Sequence, residues 1–88
     1  CATMWLMNHL MDENDLARAR IELIAGLKNC AADCVIVTNE LGLGIVPSDP
    51  LSRRFRQEQG ELNQALTAQV GTVYNVIAGL PQLLKGSA

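Results

Sequence analysis

The stretch Cys34-Val35-Ile36-Val37 limits the fold of this chain more than any other: four consecutive apolar residues, three of them β-branched, with Asp33 before and Thr38-Asn39 after. Side chains on a strand alternate between the two faces of its sheet, so a run with no polar member describes a strand covered on both sides. Val73 to Ala78 forms a second apolar run, closed by Gly79 and Pro81. A helical period separates the two. Apolar strands alternating with helices are the mark of a parallel sheet with helices on both faces and right-handed crossovers. The predicted class is therefore α/β.

The helices follow from spacing and caps. Ala2 to Met11 is mostly apolar and contains neither Gly nor Pro, which predicts a helix. Asp12-Glu13-Asn14-Asp15 is a polar break with good N-cap residues, and beyond it Leu16, Ala19, Leu23, Ile24 and Leu27 recur at helical spacing as far as Lys28 and Asn29. Leu41 to Pro50 carries Gly42, Gly44, Pro47 and Pro50 without any period, which predicts a loop feeding a helix marked by Leu51, Phe55, Leu62 and Leu66. Asp49 is placed to cap that helix and Pro50 fits its first turn, while Gly71 is placed to end it in a left-handed conformation. The tail from Lys85 to Ala88 is small and polar.

Two strands do not make a stable parallel sheet, and a chain this short buries only about 60 to 65% of the surface its unfolded form exposes. The first residue is Cys1 rather than Met. Both observations lead to one expectation: the chain is the C-terminal portion of a larger domain, with the remaining strands upstream of Cys1. A cleaved secretion signal is the weaker explanation, because free thiols suit a reducing cytosol.

Composition removes several functions. A formal net charge of -2 gives no basic field for nucleic acid. No apolar run approaches the roughly 18 residues that span a bilayer, so a membrane is not an expected partner. Cys1, Cys30 and Cys34 lack CxxC spacing, and the single His9 does not complete a zinc site with them.

In open parallel sheets, ligands bind beyond the carboxyl ends of the strands. That directs attention to Thr38-Asn39-Glu40-Leu41-Gly42-Leu43-Gly44-Ile45-Val46-Pro47, where polar side chains leave a buried strand and two glycines permit close backbone approach. Asn and Gly also suit any turn at a strand end. Glu40 is open to two readings, a carboxylate that orients a water or cation and a solvated loop acid. Gly42 and Gly44 make only an incomplete phosphate-loop pattern. Arg53, Arg54 and Arg56 sit in the first turns of a helix, where positive charge opposes the macrodipole. They either clamp a phosphate or a partner's carboxylate or pair with Glu58 and Glu61. Asn63 and Gln64 are open to a site role or to being surface amides. Trp5 with Met4, Leu6 and Met7 reads as core or subunit interface, and His9 as a non-catalytic histidine.

These segments together resemble one family, the bifunctional adenosylcobinamide kinase and adenosylcobinamide-phosphate guanylyltransferase of cobalamin biosynthesis. Val35 to Pro47 is similar to the family's apolar strand followed by TNEVGxGIVP, with Leu41 in place of Val. Leu51, Arg53, Phe55, Arg56, Gly60, Asn63 and Gln64 resemble its LxRxFRxxxGxxNQ helix. Gly79-Leu80-Pro81 with Leu84-Lys85 resembles GLPxxLK, and Cys1, Thr3, Trp5 and Asn8 resemble CxTxWxxN. Departures are Ser48-Asp49 for Glu-Asn, Gln57 for Asp, and a short stretch between Leu10 and Val35.

The resemblance implies the C-terminal part of a RecA-like P-loop NTPase parallel sheet flanked by helices. Its implied activity is phosphorylation of adenosylcobinamide with a nucleoside triphosphate, GTP or ATP, and then transfer of GMP from GTP through a guanylylated histidine. Mg²⁺, a cytoplasmic location and a homotrimer are implied as well. The P-loop and that histidine would precede Cys1, so residues 1–88 are expected to be inactive alone. They would furnish a site wall from Asn39, Glu40, Gly42, Gly44, Arg53, Arg54 and Asn63. A competing reading is a noncatalytic oligomerisation or interaction module of the same fold. A flavodoxin-like or response-regulator-like piece would need an acidic cluster or flavin loop at a strand end, which Glu40 alone does not meet.

Overall fold

The computed structural model describes residues 1–11, 15–40 and 48–86. Their elements, in order, are α1 (Ala2–Met11), α2 (Leu16–Lys28), α3 (Pro50–Gln69), β1 (Val73–Ile77) and β2 (Leu80–Lys85). The helix starts are set by short-range chemistry. Asp15 caps α2 by accepting from the Arg18 N–H at 3.2 Å. Asp49 caps α3 by accepting from the Ser52 N–H at 3.0 Å and the Ser52 hydroxyl at 2.8 Å, with Pro50 in the first turn, where its missing N–H removes one orphan donor.

The core lies among the helices. Leu6, Leu62 and Leu66 are the most deeply buried apolar side chains, with Ala2 and Leu16 beside them, and Trp5, Leu10, Leu23, Ile24, Leu27, Ile36 and Phe55 pack around this group. On α3 the inward stripe is Phe55, Gln59, Leu62 and Leu66, at successive spacings of four, three and four. On α1, Ala2 and Leu6 turn inward while Met4 and Met7 face out, so the apolar patch around Trp5 is divided between core and surface. No helix among the described residues is long and apolar enough to cross a membrane.

The fold differs from the sequence-based expectation in three ways. Residues 34–37 are not a strand: Val35 is 91% exposed, and only Ile36 packs against the core. An extended segment acquires its ladder from neighbours, and no strand flanks this one among the described residues. Its end is instead tied to α1, whose Ala2 N–H donates to the Val37 carbonyl at 2.8 Å.

Secondly, β1 pairs with β2 as an antiparallel hairpin rather than joining a parallel sheet. Ala78 and Gly79 connect them with φ of 51° and 77°, the two left-handed central residues of a type I′ turn, whose twist matches that of the strands. Pro81, expected to close the strand, pairs with Val76 inside β2. Both strands of a two-stranded sheet are edges, so the missing N–H of a proline is tolerated there. The register slips between Val73 and Tyr74, leaving Leu84 without an opposite residue.

Thirdly, α3 does not end on a left-handed Gly71. Val70 is its cap in extended geometry, φ −103° and ψ 155°, which sends the chain directly into β1. The Lys85 ammonium donates to the Thr67 carbonyl at 2.6 Å, serving an orphan group of the last turn and holding the hairpin to α3.

Candidate functional site

The middle of α3 carries the residues that organise this face of the molecule. Asn63 donates through Nδ2 to the Asn39 carbonyl at 3.0 Å, and its Oδ1 accepts from the Thr38 hydroxyl at 2.6 Å. Gln59, wholly buried in the apolar stripe, donates through Nε2 to Thr38 Oγ1 and to Asn63 Oδ1, both at 2.9 Å. From the other side, the Asn39 N–H donates to the hydroxyl of Thr3 on α1 at 3.0 Å. Thr38 and Asn39 are thus gripped by two helices. One is the helix that Val37 caps, the other the long helix that Asp49 starts.

Beyond this grip, Glu40 emerges at an open groove of about 470 Å³, formed with Arg53, Arg56, Gln57, Gly60, Glu61 and Gln64 of α3. A Cβ added to Gly60 would meet no atom of the described residues within 4 Å. The groove combines two guanidinium groups with carboxylates and primary amides. Such a lining can hold an anionic group bidentately through arginine and can exchange hydrogen bonds with amides or hydroxyls.

Charge around the groove is partly committed. Arg20 of α2 lies 3.2 Å from Glu61 and 3.7 Å from Glu58, so both carboxylates that might have matched the arginines of α3 reach an arginine on another helix. At the foot of α3, hydrogen bonds from the Ser52 hydroxyl, then from the Ser52 N–H, lower the pKa of Asp49, with a smaller contribution from Arg53.

The structure therefore sorts the residues expected to form a site wall. Glu40 and Arg53 share the groove. Asn39 and Asn63 do not line it: the Asn63 side chain is bonded to the Asn39 backbone carbonyl, and Asn39 itself is exposed. Arg54 is exposed and lines no part of the groove. Gly42 and Gly44 lie outside the described residues. Arg56 and Gln64, each open from the sequence to a site role or a surface role, line the groove, and Gln59 was absent from the expected site altogether. A polar residue inside a helical apolar stripe is the signal that would have found it.

Among the described residues, no group of three His, Cys, Asp or Glu side chains gathers to hold a metal ion. At the described helix starts, Asp15 accepts from the Arg18 N–H, Asp49 accepts from the Ser52 N–H, and the Ala2 N–H donates to the Val37 carbonyl.

Comparison with known proteins adds the relationship. The family model CobU, described as cobinamide kinase / cobinamide phosphate guanyltransferase, matches residues 1–84. The chain is 41% identical over 88 residues to the bifunctional adenosylcobalamin biosynthesis protein CobP of Pseudomonas aeruginosa, covering 98% of this chain and 51% of that protein. It is 44% identical over 63 residues to the bifunctional adenosylcobalamin biosynthesis proteins CobU of Escherichia coli and Salmonella typhimurium, covering 72% of this chain and 35% of each of theirs. The chain spans about half the length of the first relative and about a third of the other two.

Proposed function

The chain belongs to the cobinamide kinase / cobinamide phosphate guanyltransferase family, and from that membership we propose that it forms the substrate-side wall of the active site in a longer enzyme. That enzyme phosphorylates the aminopropanol hydroxyl of adenosylcobinamide with ATP or GTP, then transfers GMP from GTP through a guanylylated histidine. Residues 1–88 are the C-terminal portion of one P-loop domain, inactive alone. The protein works in the cytoplasm as a homotrimer.

The groove between Glu40 and α3 carries this reading, because it gathers Glu40, Arg53, Arg56 and Gln64 from two of the motifs shared with the family. Arg53 and Arg56 hold an anionic group of the substrates, while Gln64 and Glu40 meet amide and hydroxyl donors. Arg54 serves the subunit contact. The nucleotide phosphates and Mg²⁺ are held by residues other than those described. Mg²⁺ and its cradle supply charge neutralisation in phosphoryl transfer. This chain's own residues orient the acceptor and exclude water beside it.

The test is phosphorylation of cobinamide by the full-length protein carrying Arg53→Ala, Glu40→Gln or Arg54→Ala. Loss of a charged hydrogen bond made in the transition state lowers kcat/KM by on the order of tenfold to a hundredfold, which is expected for the first two. Arg54→Ala should leave kcat/KM unchanged. Wild-type rates in both groove variants would remove the groove from the site.

A further inference from the structure

Gln59 stands where a helix normally places an apolar side chain, between Phe55 and Leu62 on the inward stripe of α3, and it is 0% exposed. A carboxamide in such a place is unfavourable unless its polar atoms find partners. Its Oε1 has none. Stability therefore does not account for a glutamine here, since an apolar side chain of similar volume would fill the same space without an orphan acceptor.

What Gln59 provides is direction. Both bonds from its Nε2 land on the pair Thr38 Oγ1 and Asn63 Oδ1, and the Thr38 hydroxyl donates to that same Asn63 oxygen. Two donors converging on Oδ1 fix which way the Asn63 amide faces, oxygen inward and nitrogen toward the Asn39 carbonyl. The Asn39 N–H is held by Thr3. Both backbone groups of Asn39 are thus engaged, one from each helix, and the next residue along is Glu40 at the groove.

We infer that Gln59 is a positioning residue, which orients Asn63 and Thr38 so that the Asn39–Glu40 segment presents Glu40 at one fixed place on the groove wall. The role rests on the groove being the substrate wall proposed above. Asn63, on this account, acts through Asn39 and touches no substrate.

Two variants of the full-length protein test it. Gln59→Met keeps the shape but removes the donors and the orphan oxygen, and Asn63→Asp keeps the acceptors but removes the donor to Asn39. Hydrogen–deuterium exchange of the peptide covering residues 36–40 should speed up by on the order of tenfold in each, the worth of one or two neutral hydrogen bonds. The melting temperature of Gln59→Met should stay level or rise. A purely structural glutamine would instead lower the melting temperature and leave local exchange in step with global unfolding. In steady-state kinetics, kcat/KM for the corrinoid should fall about tenfold by the same loss. Unchanged exchange in both variants overturns the clamp, and faster exchange with wild-type kcat/KM overturns its role in the site. A wild-type protein without cobinamide phosphorylation would refute the functional reading instead, leaving the exchange result to judge the clamp by itself.

Discussion

Replacing Leu62 with alanine tests where the energy of this fold resides. Leu62 is 1% exposed and lies on α3, in the cluster shared by α1, α2 and α3. Truncation removes three carbon atoms from the core, about 2.4 kcal/mol in transfer alone at roughly 0.8 kcal/mol per methylene-sized group. The cavity left among rigid helices brings the cost to about 3 to 4 kcal/mol. A chain of 88 residues has a total stability of roughly 4 to 13 kcal/mol at typical per-residue values. Leu62→Ala should therefore remove a large part of it. Ile77→Ala is the control, because Ile77 sits on the hairpin at 61% exposure, and it should cost no more than about 1 kcal/mol. Urea unfolding followed by helical circular dichroism reads both. With a slope of about 1 kcal/mol per molar urea, the Leu62→Ala midpoint falls by about 3 M and the Ile77→Ala midpoint by less than about 1 M. Equal shifts in the two variants would show that the hairpin face is buried in solution and would refute a core confined to the helices.

Two further perturbations follow from the electrostatics. Asp49 has its pKa lowered by the Ser52 hydroxyl and N–H, so its contribution is present above the unfolded value and is lost as pH falls through the lower folded value. Asp49→Asn keeps the cap acceptor and should flatten that part of the acid unfolding curve, measured by circular dichroism from neutral pH downward. Arg20→Ala removes the links from α2 to Glu58 and Glu61, whose side chains are 23% and 45% exposed. The solvent-screened cost should stay below about 1 kcal/mol and shrink in high salt, as seen in denaturant midpoints at two ionic strengths.

The helices α1, α2 and α3 were legible in the sequence because their determinants are local. Asp15 and Asp49 cap within three residues, and the apolar spacing of α2 and α3 gives their inner faces. The sheet was not legible for the opposite reason. Val73–Ile77 is apolar enough to suit a buried parallel strand, but its partner is decided by the turn, and Ala78 is not the Asn, Asp or Gly that usually announces a left-handed pair. Pro81 read as a terminator although an edge strand accepts it. The run 34–37 carries the pattern of a covered strand, yet pattern cannot supply the neighbours that cover it. Glu40 and Arg53, which line the groove, could be nominated from residue type and place. The roles of Asn63 and Gln59 could not, since they depend on Thr38 lying 25 and 21 residues away in the chain.

On the proposed function, this chain builds the substrate-side wall of the site, and the cradle that grips the nucleotide phosphates is built by other residues. Thermal unfolding of residues 1–88 over a GTP·Mg²⁺ titration tests it most directly, because any ligand that binds only the native state raises its apparent stability with concentration. A melting temperature independent of GTP is the predicted result. A concentration-dependent rise would contradict the account, for it would mean that these residues hold the nucleotide unaided.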